Sequence, residues 1–355
     1  MVKEYGYEYD AARDKALFAE TKGKVSFDRL QGAICLRSGR DALKAIAREQ
    51  EKTAVYLPAL SCDSMIRPFQ AYGHGVCYYK LNSDYSIDLT HLKTLVKSHN
   101  GQGIFLYMNY FGNPAIGDTQ LQELQKEFPK ITFAEDRTHD LIWEKTGTFQ
   151  PDYTMASLRK WIPIPDGGLL WTKRPLKCTE LGEDTAFSET RLKAQCMRRE
   201  YLNSGDETLK TEFRKIFSTV SDLMDEDPIP HRMSAYSYAI AERTNWEQVR
   251  CRRKENAETL ITGLKQAGAR LIQKDAGRSD LYVAFLTENR DETQRKLSAM
   301  GIFNTIIWPL IDRQKETCQT AKLTEEHMLA APCDQRYTPS DMEYIGKEIA
   351  KRIKP

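Results

Sequence analysis

The sequence predicts an α/β fold, with a mostly parallel central sheet covered by helices on both faces and a smaller C-terminal α/β unit. Three observations predict it. Short β-rich runs alternate with helical patterns through the first part of the chain, as crossover connections between parallel strands require. A long, charged, helical stretch follows from about 177 to 270. A second and shorter alternation of strand and helix patterns then closes the chain.

Taken in order, strands are expected at Ala54 to Leu57, Val76 to Tyr79, Ile104 to Tyr107, Ile131 to Glu135 and Tyr153 to Ala156, with Gly168 to Trp171 returning after a Pro/Gly turn. Helices are expected between them near 40–50, 62–72, 88–98 and 118–127. The long helical stretch is broken by Asp225-Glu226-Asp227-Pro228-Ile229-Pro230. The closing unit is expected to hold a strand at Leu281 to Leu286, a helix at Asp291 to Met300, a strand at Phe303 to Trp308 and a helix at Ser340 to Ile353. This organisation divides the chain into an N-terminal arm (1–30), a large domain (31–235), and a long helix with a small C-terminal domain (236–355).

Composition excludes several classes. The 355 residues are 41% hydrophobic and 29% charged with a net charge of +2, which gives no reason to expect nucleic acid or an anionic membrane as partner. The basic runs, Arg191 to Arg199 and Arg250-Cys251-Arg252-Arg253-Lys254, are interleaved with acids at helical spacing and predict solvated helix faces. The start, Met1-Val2-Lys3-Glu4-Tyr5-Gly6-Tyr7, has no apolar core of a signal peptide. No apolar run approaches the ~18 residues needed to span a bilayer. Eight cysteines are scattered without a CxxC or a His pair at ligand spacing, which predicts reduced thiols, a cytoplasmic protein and no metal. No Walker loop, GxGxxG or HExxH occurs.

The chemistry is expected around Lys160, in Ser157-Leu158-Arg159-Lys160-Trp161-Ile162-Pro163-Ile164-Pro165-Asp166-Gly167-Gly168. This lysine ends a strand and precedes a Pro/Gly turn, so it is presented at a sheet edge. A desolvated lysine becomes a neutral amine that can form a Schiff base with an aldehyde. Ligands collect outside the carboxyl ends of such strands, and Asp136 stands just past another end, in Glu135-Asp136-Arg137-Thr138-His139-Asp140. A carboxylate there can keep a pyridine nitrogen protonated, and His139 can reach a ring hydroxyl beside it. Glu135 and Asp140 compete for the first task. Asn109, in Asn109-Tyr110-Phe111-Gly112, also follows a strand and can donate to that hydroxyl. Ser38-Gly39-Arg40-Asp41 opens a helix. It reads either as a plain capping box or as a place where a phosphate approaches free first-turn amides, with Ser157 adding a hydroxyl.

The order of these elements is more specific than any one of them: Ser-Gly at a helix start, Asn-x-x-Gly after a strand, Asp-x-x-His, then Ser-x-x-Lys. It resembles the fold-type-I pyridoxal-phosphate enzymes, and within them the DegT-like sugar aminotransferases. Further matches are Tyr56-Leu57-Pro58-Ala59-Leu60-Ser61-Cys62-Asp63, Arg232-Met233-Ser234, and Ala331-Pro332-Cys333-Asp334-Gln335-Arg336-Tyr337-Thr338. The resemblance runs from about residue 30 to the C-terminus. It implies pyridoxal 5'-phosphate as cofactor, Lys160 as carrier of the internal aldimine and then base, and Asp136 at the pyridine nitrogen. It also implies His139 and Asn109 near the ring oxygen, and Ser38, Gly39, Arg40 and Ser157 around the phosphate. The implied reaction moves an amino group, with glutamate the expected donor, to a keto group on a nucleotide-linked sugar. The expected assembly is a homodimer, and the expected setting is modified-sugar or surface-polysaccharide synthesis. Another pyridoxal-phosphate reaction (dehydration or racemisation), or a non-catalytic relative, uses the same motifs.

Three departures from the family pattern stand out. Cys62 occupies the position of an aromatic residue that stacks on the cofactor ring, so stacking has to come from elsewhere or be weak. Thr138 stands where the family has alanine, with Arg137 beside it. Pro230 replaces an asparagine that reaches the partner subunit's phosphate, with His231 next to it as a substitute.

Overall fold

The computed structural model describes residues 2–11, 30–143, 147–177, 180–273 and 275–353. Among the described residues twelve strands order the chain: β1 (Tyr5–Gly6), β2 (Ile34–Leu36), β3 (Ala54–Pro58), β4 (Gly75–Tyr79), β5 (Gln102–Met108), β6 (Lys130–Asp136), β7 (Tyr153–Ala156), β8 (Gly168–Thr172), β9 (Arg270–Leu271), β10 (Tyr282–Leu286), β11 (Ile302–Phe303) and β12 (Met328–Pro332). The strands that read as unbroken apolar runs are buried on both faces, as in β3, where all five residues are inaccessible.

Seven strands form the main sheet in the order β2-β8-β7-β6-β5-β3-β4. β4, β3, β5, β6 and β7 run parallel, and β8 returns antiparallel between β7 and β2. The crossover helices are Gly39–Glu49, Asp63–Ala71, Leu89–Ser98 and Asp118–Glu127, close to their expected places. Register aligns the carboxyl ends: Asp136 lies opposite Met108 on one side and Met155 on the other. The strands therefore deliver their last residues to one edge of the sheet.

The helical stretch resolves into Thr185–Ser204, Glu207–Glu226, Ala235–Arg243 and Trp246–Gln266, with the break at Asp227 to Pro230 as expected. Beyond it, β12-β10-β9 form an antiparallel sheet. Its core gathers Leu260, Leu264, Val283, Phe285, Leu329, Ile345 and Ile349. Each such side chain contributes about 1.5–3 kcal/mol when fully buried.

Four expectations are corrected. The strand expected over 303–308 ends at Phe303; the chain then leaves the ladder, apart from a Thr305–Ala330 bridge. Pro309, which has no N–H to donate, follows directly. Met328–Pro332 is a strand, paired along its length with β10 in the small unit, where the sequence was read only for its motif. The basic runs are not solvated faces, because Arg191, Arg198 and Arg253 are each 1% exposed. Their partners are far away in sequence: Arg191 donates to Glu8 at 2.9 Å and Arg198 to Glu4 at 3.0 Å. Lastly, residues 2–11 of the expected arm, where the sequence offered no element, include a strand. β1 pairs in parallel with β11, and Tyr5 enters the small unit's core. The remainder of that arm, 12–29, lies outside the described residues.

Candidate active site

Lys160 closes a short 3-10 turn, Leu158–Lys160, immediately after β7. The neighbours on both sides are anchored: Leu158, Trp161 and Ile162 are wholly buried in a separate apolar cluster with Met233 and Trp246. Asp166, three residues past Pro163, accepts from Ser234 N and Oγ at 2.7 Å each and from Ser237 Oγ, which fixes the far end of the loop. Arg159 and Lys160 are the half-buried residues of this packed turn. Among the described residues the Lys160 Nζ makes no hydrogen bond or ion pair. Burial lowers its affinity for a proton. The Asp136 carboxylate opposes the effect, and the Arg159 and Arg40 guanidinium groups add to it.

The pocket before Lys160 is lined by Ser38, Gly39, Arg40, Cys62, Asp136, His139 and Ser157, together with Thr138, Arg159 and Trp308. Asp136, the last residue of β6, is 6% exposed, and Thr138 N donates to its Oδ1 at 2.8 Å. Burial raises its pKa, partly offset by the Thr138 bonds and by Lys160. Of its two competitors, Asp140 is engaged by Arg137 at 3.3 Å and Asn109 at 3.2 Å, and Glu135 lies off the pocket lining. His139 is 2% exposed, and Phe111 N donates to its Nδ1 at 3.4 Å. That bond leaves the proton of a neutral ring on Nε2. Burial, with Lys160 nearby, pushes the imidazole pKa down to about 3, so the ring is neutral across the physiological range.

The helix Gly39–Glu49 points its N-terminus at this pocket. Both readings of Ser38-Gly39-Arg40-Asp41 have a share in it. Ser38 is the cap, donating to Asp41 Oδ2 at 2.5 Å and accepting from Asp41 N at 3.2 Å. Asp41 turns inward to Arg37, which donates to it at 2.9 and 3.1 Å, so the carboxylate of this helix start does not face the pocket. Gly39 packs so closely on the lysine strand that a Cβ there would meet Ser157 Cβ at 3.3 Å. The first-turn amides, which have no partner inside the helix, therefore lie beside Ser157. The Arg40 side chain leans away, donating to Ser221 O at 2.9 Å and pairing with Asp225 at 3.2 Å.

Asn109 is not brought into the pocket: its amide donates to Asp140 and its oxygen accepts from Ala115 N at 3.1 Å, tying two loops together. Cys62 is at the lining with its Sγ 2.9 Å from Ser64 Oγ. Arg137 does not intrude, because its guanidinium caps the turn at Asp140 O and Trp143 O. Thr138, read only as a departure, is a junction: beside its bond to Asp136, its Oγ1 accepts from Ser157 N at 3.0 Å. Trp308, on the irregular segment after β11, presents its indole 5.9 Å from the His139 ring. In the sequence, Trp308-Pro309 reads equally as substrate-pocket lining or as core packing, and the structure puts Trp308 in the lining.

A primary amine without a partner, a buried carboxylate, a neutral imidazole with one free N–H, and a glycine-lined helix start beside a serine together fit an aldehyde-bearing pyridine phosphate. Residues 10–127 match the family model described as aminotransferase class I and II. Solved structures share the fold. An aminotransferase of the DegT DnrJ EryC1 StrS group from Brucella abortus superposes with TM-score 0.64 and 14% identity, over 91% of this chain and 86% of that one. PseC of Helicobacter pylori, an aminotransferase in the biosynthesis of pseudoaminic acid, gives 0.65 and 14% over 99% of both chains. The Streptococcus pneumoniae protein Spr1654, assigned as a sugar aminotransferase and solved in its PLP form, gives 0.66 and 14% over 99% and 100%. No curated protein sequence matches the chain. The fold-type-I architecture expected from the sequence, and the resemblance to the sugar aminotransferases, are borne out.

Proposed function

We propose that this chain is a pyridoxal 5'-phosphate-dependent aminotransferase that moves an amino group from glutamate to a keto group on a nucleotide-linked sugar. The observation that carries the reading is the unpaired, half-buried Lys160 amine facing Asp136 at the carboxyl edge of the sheet. The aminotransferase match over 10–127 and the fold shared with sugar aminotransferases support it.

When bound, the cofactor supplies an electron sink for the bond that breaks at the substrate carbon bearing nitrogen. The chain's own residues do the rest. Asp136 holds a proton at the pyridine nitrogen, and His139 Nε2–H donates to the ring oxygen. The amides at Gly39 and Arg40, with Ser157, hold the phosphate at a helix start, where partial positive charge favours it. Lys160, whose affinity for a proton is lowered by burial, would hold the cofactor and then take and return the proton that moves during transfer. Trp308 lies over the pocket and helps to exclude water.

A homodimer in the cytoplasm completes the proposal. All seven cysteines among the described residues are free, in keeping with a reducing compartment. No helix among those residues is long and apolar enough to cross a membrane. Leu223, Ile229, Tyr236 and Tyr238, between 40% and 53% exposed, supply apolar surface for a second subunit.

The test is to add the cofactor to purified protein, record its absorbance, reduce with borohydride and map the labelled peptide. Label confined to Lys160, lost in Lys160→Ala, supports the reading, and glutamate should then convert the bound cofactor to its amino form. Label spread over surface lysines, or none, sinks it.

A further inference from the structure

The carbonyl of Trp161, the residue after Lys160, is the meeting point of three segments remote in sequence. Gln335 Nε2 donates to it at 2.8 Å, Tyr9 OH at 3.1 Å and Arg253 Nη2 at 3.4 Å. A carbonyl oxygen has two lone pairs, so three donors crowd it beyond simple satisfaction. The donors also bind one another. Arg253 donates to Tyr9 OH at 2.7 Å and to Gln335 Oε1 at 2.8 Å, and its guanidinium lies 4.7 Å from the centre of the Trp161 ring.

Arg253 is 1% exposed, yet among the described residues it donates to this set and to the carbonyls of Asp280 and Leu281, not to a carboxylate oxygen. A buried charge held by neutral groups is costly, and here it is spent on a carbonyl one residue from the reactive amine. The other side of Trp161 is fixed as well. Its indole Nε1 donates to Thr138 O at 2.9 Å, and Thr138 in turn holds Asp136 and Ser157. Lys160 thus sits on a turn anchored to the main sheet through Thr138. Across the cleft it is anchored to the N-terminal arm through Tyr9 and to the small unit through Arg253 and Gln335.

We infer that Tyr9, Arg253 and Gln335 are positioning residues that hold the Trp161 carbonyl, so that Lys160 is correctly aimed only while the arm and the small unit are both docked. The inference rests on the proposed role of Lys160 as the reactive amine. It makes seating of the small unit and arm a condition for reactivity, with no residue of either needing to touch the reacting atoms.

The experiment compares wild type with Tyr9→Phe, Gln335→Ala and the double variant, all of which leave the Arg253 charge in place. One readout is the rate at which pyridoxal phosphate becomes borohydride-fixed on Lys160. The second needs no cofactor: the pH midpoint for acetylation of Lys160 by acetic anhydride, read by peptide mass spectrometry with exposed Lys97 as internal control. The expected result for the double variant is cofactor fixation slowed about tenfold, as small misplacements of a reacting group produce. Its Lys160 midpoint should rise by about half a unit as water reaches the loosened turn, with the Lys97 midpoint unchanged. Unchanged rate and midpoint in a folded double variant overturn the inference. Should that variant not fold, Tyr9→Phe decides by the same two readouts. Failure of wild type itself to take label at Lys160 would instead defeat the aminotransferase reading, and the acetylation midpoint would still judge the clamp.

Discussion

Asp136 and His139 are held by burial in opposite relations to their protons, and both relations are measurable without substrate. Burial raises the Asp136 pKa, so the ionised form weighs against the fold at any pH above its folded value. Asp136→Asn removes that penalty. Cofactor-free Asp136→Asn should therefore melt above wild type at pH 8, and the advantage should shrink as pH falls through the carboxylate range; an equal or lower melting temperature at pH 8 counts against the assignment. His139 works the other way round. With its pKa pushed to about 3, the folded state stays unprotonated while an unfolded histidine takes up a proton below about 6.5. Stability is lost as pH falls through that window. Urea midpoints at pH 7 and pH 5 should drop for wild type and drop less for His139→Gln, and identical drops would remove His139 from the cause. Both residues were legible because a strand end and a three-residue spacing place them at the sheet edge. Asn109 sits on a strand end too, yet spacing says nothing of its partners Asp140 and Ala115, which turn it away.

The helix Gly39–Glu49 and β8 form one element pair whose closeness shapes the end of the site proposed to hold the phosphate. A Cβ on Gly168 would lie 2.2 Å from Ser38 C and O, contacts that backbone cannot relieve without moving the helix start. Gly168→Ala should thus destabilise by about 1–3 kcal/mol or more and weaken cofactor affinity as well. At Gly39 the contacts are 3.1 Å to Met155 Cε and 3.3 Å to Ser157 Cβ, and the methionine end can yield. Gly39→Ala should then keep most of its stability and lose mainly affinity. Titrating cofactor absorbance beside thermal melts separates the two, and a Gly168→Ala protein with wild-type melting and affinity would contradict the close approach. Elements with strong period or terminator signals, such as the parallel strands and their crossover helices, were readable in advance. β2 and β9 were not, since runs of two or three residues have no period to detect. The 303–308 run had one, but the strand stops at Phe303.

Across the whole molecule, burial of charge by the N-terminal segment is what sequence-local reasoning could not reach. The arginines at 191, 198 and 253 look like a solvated face until the acids and hydroxyls of residues 4–9 are folded against them. Glu4 is the clearest case. Its side chain is 3% exposed, and it accepts from Arg198 at 3.0 Å and from Tyr201 OH at 3.0 Å, with Lys210 3.1 Å away. Burial alone would raise its pKa, but Arg198, Lys210 and Tyr201 outweigh that and the net shift is downward. A carboxylate with a lowered folded pKa contributes stability that is present above its unfolded value, near 4.3, and is lost as pH falls through the folded one. Removing one member of a buried pair strands the other, at about 3–5 kcal/mol. Glu4→Ala should therefore cost about that much at pH 7, and it should also release β1 from β11, because Arg198 reaches the Gly6 carbonyl as well. Hydrogen exchange at Tyr5, whose N–H donates to the Gly301 carbonyl at 2.7 Å just before β11, reads the second effect directly in the variant. Faster exchange there, with protection in β5 and β6 retained, is expected if the segment is an integral strut of the small unit; an unchanged urea midpoint and unchanged exchange would mean that the buried pair contributes nothing to docking the arm.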